Sequence, residues 1–347
     1  MKTSRRLFLS LAALAAPTWA AATDGALTPP VTIARFAGNR VAAVSYTFDD
    51  GTLGHYLVAA PTLEKYEFRG TFGVVAGKTA DDPAAAQKLA TANGKAPQAV
   101  RRTSWQEWRE LAAKGHEVAN HGMEHKGLPS LTEAGLEREV NEAARIITEK
   151  VGRPLSFIYP GNGRNPKVRE FVLKNHIADR NREQRFGGPG FTVDQANAII
   201  DKAIKNREAI IIMTHAVAEA GYQPVSQEDL DGHLKYVSTI KDKIWVDTLA
   251  NVTRYVRERD AAKITLKTSA ANQVIFTLAC PLDPGLFNGP LTCVINAGSP
   301  VVPAAVKCER GGVAIPVTVS GDQLLVDIVP GSGDVTVRWT NNPGRAQ

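Results

Sequence analysis

The 347-residue sequence predicts an α/β barrel followed by a small all-β module. Two observations carry the prediction. Between residues 41 and 259, short apolar runs alternate with helical patterns, as they do where parallel strands are joined by helical crossovers. After Lys263 the pattern changes to alternating β-type segments broken by Pro and Gly, as in a small sandwich. The apolar fraction of 44% suits a packed core of this size and excludes a largely disordered chain.

The first segment is set aside from the fold. Ser4-Arg5-Arg6-Leu7-Phe8-Leu9 leads into an apolar run at 11–16 and small residues at Ala20, Ala21 and Ala22, so residues 1–22 read as an export signal. The paired arginines resemble the twin-arginine type. The apolar run is too short to span a bilayer and no second stretch approaches that length, so the expectation is a secreted or periplasmic protein without a transmembrane segment in the mature chain. The formal charge of +6 includes Lys2, Arg5 and Arg6, which leave with the signal. No basic run is interleaved with aromatics, which argues against nucleic acid as a partner. Cys280, Cys293 and Cys308 are too widely spaced for a zinc module; an oxidising compartment permits one disulfide with one thiol left over.

The barrel is expected over 30–260, with seven strands at 41–48, 70–76, 117–120, 156–159, 176–179, 209–214 and 244–246. The intervening helices carry start signals. Ser104 with Glu107 and Ser130 with Glu133 fit capping boxes, and Asn165-Pro166 fits a cap with proline at the first helical position. Thr192, Ser226 and Thr248 fit further caps. Pro61 starts or kinks the first helix. Residues 79–100 lack strong periodicity and read as a surface insertion, a rim or lid. A β-sandwich-like accessory domain is expected over 262–347, from runs at 264–268, 273–278, 291–295, 313–319, 324–328 and 334–339.

The chemistry is concentrated at strand ends. In Thr47-Phe48-Asp49-Asp50-Gly51 two adjacent carboxylates stand where the first apolar run gives out, and paired acids in such a place need a cation or a shared proton. His121 and His125 follow the third run at a four-residue offset, which puts both rings on one side of a helical turn. With Asp50 they make a two-histidine, one-carboxylate set of the kind that binds a catalytic divalent ion and leaves positions open for water and substrate. His215 follows the apolar run 209–214 and shares this placement. Tyr159, Arg180 and Trp245 also lie at or just past strand ends and are the candidates for substrate contact. Gly115-His116-Glu117 followed by His121 is one residue too long for the zincin spacing.

These residues resemble the polysaccharide deacetylase family, the NodB-homology domain of carbohydrate esterase family four. Thr47-Phe48-Asp49-Asp50-Gly51 is similar to its first motif and 121–125 to its second. Phe157-Ile158-Tyr159-Pro160-Gly161 is similar to a variant of the third motif, and Ile212-Met213-Thr214-His215 to the fifth. The resemblance implies a distorted (β/α)7-type barrel. It implies Asp50, His121 and His125 as ligands of a divalent ion, zinc first, with cobalt, nickel or manganese as alternatives. Asp49 becomes the general base and His215 the general acid, in removal of N- or O-linked acetyl groups from an oligo- or polysaccharide. Three departures stand out. Gly122 replaces the usual Ser or Thr whose hydroxyl helps fix the second histidine. The third motif lacks the arginine that pairs with the base, for which Arg180 is the replacement by position. No Asp-Trp fourth motif orients His215. Two other functions fit the same residues: a non-catalytic glycan-binding protein, and a metal-dependent amidase acting on a small non-carbohydrate molecule.

Overall fold

The computed structural model describes residues 30–92 and 101–341, so the expected export segment lies outside the described residues. The parallel sheet is built on Ala42–Phe48, a strand buried along its whole length, as a strand covered on both faces must be. On one side it pairs with Ala209–Thr214 through six residues in register, from Ala43↔Ala209 to Phe48↔Thr214. On the other it pairs with Thr71–Val74 near its C-terminal end and with Ile244–Val246 near its N-terminal end. Glu117–Asn120, Ser156–Phe157 and Ala178–Asp179 continue the sheet beyond Thr71–Val74. All seven expected strands are present. An eighth, Gln184–Arg185, pairs with Ala209–Thr214; at two residues and with both side chains exposed it has no apolar pattern to read.

The sheet is curled, and one contact demonstrates it. Ala178–Asp179 lies four positions from Ala42–Phe48 in the strand order, roughly 19 Å in a flat sheet, yet Arg180 at its end touches Asp49. The curl leaves an opening between Ala178–Asp179 and Gln184–Arg185, whose strands are the two ends of the hydrogen-bonded path. A core that includes Tyr46, Phe48, Phe72, Trp108 and Ile212 fills the interface between sheet and helices.

Local signals place the helix starts. Ser104 and Glu107 form a reciprocal capping box on Trp105–Ala113, and Thr192 with Gln195 forms another on Val193–Asn206. Asn165, Ser226 and Thr248 cap as expected. Ser130 does not: Leu128–Ser130 makes its own 3-10 turn, and Thr132 caps Glu133–Leu136 instead. Pro61 falls at the start of Ala60–Lys65, which continues from a π-helical turn at His55–Ala59. The insertion contains a helix, Pro83–Ala92, that its Ala-rich sequence did not reveal by periodicity.

The C-terminal module is a pair of antiparallel sheets. One holds Lys263–Ala270, Gln273–Ala279, Val335–Arg338, Lys307–Arg310 and Val313–Ala314. The other holds Leu291–Asn296, Gln323–Ile328 and Thr318–Ser320, and it is completed by Val31–Ile33, which precedes the barrel. Alternate residues Val274, Phe276 and Leu278 face Cys293, Ile295 and Val326 in a common core. The expected run 313–319 is split around Pro316, which cannot donate to a ladder. All three cysteines are free thiols.

Candidate metal and catalytic site

Asp49 and Asp50 follow the last residue of Ala42–Phe48, His121 follows Asn120 and His215 follows Thr214, so all leave the C-terminal end of the sheet together. Asp50, His121 and His125 offer one ligand atom each within 4.8 Å of one another. Asp50 Oδ1 is 3.1 Å from His125 Nε2 and 3.6 Å from His121 Nε2. Two of these three residues have left-handed backbones, Asp50 at φ 77° and His125 at φ 65°, a conformation that costs side-chain-bearing residues on the order of 1–2 kcal/mol. Such strain persists where the surroundings over-determine it.

The donor chemistry fits a cation. His121 is 1% exposed, and its Nδ1 lies 2.9 Å from the carbonyl of Ile158. A carbonyl only accepts, so Nδ1 carries the proton and a neutral His121 turns the lone pair of Nε2 toward the Asp50 carboxylate. That buried Nε2 has no hydrogen-bond partner among the described residues. Two electron-pair donors aimed at one point repel unless a cation lies between them. Burial pushes the Asp50 carboxyl up, but the surroundings of His121 and His125 outweigh it and hold Asp50 below the usual carboxylate range. The third-motif variant thus acts through the Ile158 carbonyl, which sets the ring of His121.

Asp49 faces Arg180. Both side chains are buried, and the guanidinium grips both carboxylate oxygens, Nη1 on Oδ1 and Nη2 on Oδ2 at 2.6 Å. Burial raises the Asp49 carboxyl, and Arg180, with His121 and His215, more than offsets it. His215 Nε2 lies 3.7 Å from Asp49 Oδ2, and its backbone oxygen contacts Nε2 of the buried His55 at 2.7 Å. Burial lowers the pKa of His215, partly opposed by Asp49 and Asp50. Its Nδ1 is buried without a hydrogen-bond partner among the described residues, and Tyr222 lies against its ring, edge-on at 4.8 Å.

The candidates for substrate contact need correction. Arg180 is 1% exposed and committed to Asp49, Thr47 and Asn162, so it orients the acid rather than meeting a ligand. Tyr159 is fully buried and donates its hydroxyl to Asp179 Oδ2 at 2.9 Å. Trp245 pairs with Ala43, six residues and roughly 20 Å of strand short of Asp49, and its ring packs on Tyr255 toward the β-module. Position after an apolar run marked these residues, but the run 244–246 is staggered against the central strand and its end lies low in the sheet.

Four residues at the site escaped the sequence reading. Tyr222 is 63% exposed beside His215. Asn162 accepts from Arg180 Nη2 at 2.9 Å, and the Arg102 guanidinium donates to the Asp50 carbonyl. Glu219 accepts from the Gly54 amide at 3.1 Å and ties the loop after His215 to the first helical turn. None has a spacing that marks it; the nearest signal was the Gly161-Asn162-Gly163 turn.

Residues 38–177 match the sequence model of the polysaccharide deacetylase family. This region is similar to polysaccharide deacetylases. A gellan lyase from a Bacillus species is 23% identical over 88% of this chain, which spans 13% of that relative's length. The fold is also similar to a family 4 acetyl xylan esterase from Clostridium thermocellum, in complex with a cobalt ion, at 19% identity and TM-score 0.42, covering 60% of this chain and 89% of that one. A family 4 carbohydrate esterase from Streptomyces lividans is 16% identical with TM-score 0.39, covering 59% of this chain and 91% of that one. The matched region holds four strands of the sheet and the strand ends that carry Asp49, Asp50 and His121, while Arg180 and His215 come from beyond it.

Proposed function

We propose that the protein is a metal-dependent hydrolase that removes acetyl groups from a carbohydrate. The observation that carries the proposal is the unpartnered Nε2 of His121 aimed at Asp50 beside an arginine-clamped second carboxylate. Asp50, His121 and His125 would hold a divalent ion, zinc first, which when bound supplies Lewis acidity to a water and to the acetyl carbonyl.

Asp49 is the proton acceptor for the attacking water. Arg180 keeps its two oxygens in a fixed plane and keeps the carboxylate ionised, so the acceptor is set before substrate arrives. His215 delivers a proton to the departing group from the Asp49 side of the site. An amine leaves poorly without that proton, and an activated aryl alcohol leaves without it. Loss of His215 should therefore hurt an N-acetyl substrate far more than an aryl acetate. Tyr222 offers an exposed ring at the mouth, the type of surface on which a sugar face packs.

Acetate release across a panel of acetylated glycans, with and without chelator, tests the proposal. Release that stops with chelator and returns with zinc is expected. Glycan binding without any release would support a binding protein instead.

A further inference from the structure

We propose that Glu139 is the positioning residue that shapes the His121–His125 loop, in the place of the missing hydroxyl at Gly122. The inference rests on the reading of Asp50, His121 and His125 as a metal site. Glu139 is 1% exposed, lies in the π-helical turn Glu137–Glu142, and has no ion-pair partner among the described residues. Its carboxylate instead receives backbone amides of the loop. Oε2 accepts from Met123 at 3.0 Å, Glu124 at 3.1 Å and Lys126 at 3.3 Å, and Oε1 accepts from Glu124 at 3.1 Å.

Converging backbone amides form an anion-binding nest, and here the anion belongs to the protein. The nest closes with two left-handed residues, Gly122 at φ 85° and His125 at φ 65°. Asn120 holds the amide just before it, accepting from Gly122 at 2.9 Å while its own amide group donates to the Val140 carbonyl at 2.8 Å. A buried carboxylate satisfied only by amides is lost at high cost if those amides move, so the loop is fixed in the one shape that serves Glu139. That shape brings His125 back toward His121.

The same geometry accounts for Gly122. A Cβ there would lie 2.7 Å from Glu139 Oε2, so a Ser or Thr side chain and this carboxylate approach exclude each other. The chain lacks the hydroxyl because a carboxylate on the next helix does its work.

The test is a cobalt titration of the full chain read by visible absorption, with amide hydrogen exchange on the chelator-treated protein. Glu139→Gln removes the charge and turns an amide N–H toward the loop amides. Cobalt affinity is expected to fall roughly 10–100-fold, the scale for residues that orient ligands from behind, with faster exchange at Met123, Glu124 and Lys126 and the rest of the sheet still protected. Glu139→Asp keeps the charge and should recover part of the affinity; it decides the matter alone if the Gln variant does not fold. Wild-type affinity in both variants, or a fall in thermal stability with unchanged cobalt affinity, overturns the inference. A wild-type protein that takes up no cobalt overturns the metal reading and this inference with it, an outcome distinct from wild type and variant binding alike.

Discussion

Asp49 and Asp50, just past the end of Ala42–Phe48, are held below the usual carboxylate range, whereas Glu117, the first residue of Glu117–Asn120, and Asp247, just past Ile244–Val246, are pushed above it. Burial raises all four. What differs is the partners: Arg180 and the histidines converge on the first pair. Glu117 has a hydroxyl from Thr71 at 2.9 Å and the Ala250 amide at 3.0 Å, and Asp247 has amides of Thr248 and Asn251. Charged partners surround the first pair, while the second pair accepts from amides at the start of the helix Leu249–Ala261. Enclosure alone therefore does not mark a catalytic acid; a converging cation does.

The largest break in this contrast should come from Arg180→Met. It leaves Asp49 as an enclosed charge without its counter-ion, at a cost of about 3–5 kcal/mol in stability. Denaturant unfolding measures it, and a loss below about 1 kcal/mol would mean that Asp49 does not depend on the pair.

Asp49→Asn comes next. It keeps the shape and removes the proton acceptor, so deacetylation should fall by roughly 10²–10⁴-fold while the metal content stays. Near-wild-type turnover would remove Asp49 from the chemistry.

Acid should sharpen the contrast. His176 and His233 are buried, and burial lowers their pKa values to about 4. The unfolded chain binds their protons near pH 6.5 and the folded one only near 4, so stability present above pH 6.5 is lost as pH falls toward 4, by on the order of 3 kcal/mol for each. Asp49 adds to the same trend further down, since its folded pKa lies below the unfolded one. Unfolding midpoints across pH 4–8, repeated with His176→Gln, should show a shallower acid limb in the variant.

Glu117→Gln is the smallest change expected. A group already held toward its neutral form loses little on becoming an amide, so stability should stay within about 1 kcal/mol of wild type near pH 5. The sign then reverses that of Asp49. A raised folded pKa gives stability at low pH that is lost as pH rises, so the variant should gain on wild type as pH climbs above the ordinary glutamate range. Parallel curves would show that Glu117 is ionised throughout.

The sequence by itself determined the alternation of strands and helices, most helix caps, and the grouping of Asp49, Asp50, His121 and His215 at one end of the sheet. These depend on periodicity, on hydrogen bonds three residues apart and on where an apolar run stops, all of which are local. The His121 and His125 pair was legible for the same reason. The resemblance offered Arg180 by position as the partner of Asp49; the tertiary structure shows the two meeting across 131 residues, and it alone decided that Trp245 points away from the site and that Val31–Ile33 completes a sheet of the C-terminal module. It also decided that Glu139 reaches the amides of the histidine loop. Each of these follows from the curl and stagger of the sheet, which are fixed by how short strands of unequal length pair and pack. No spacing within a single segment carries that information.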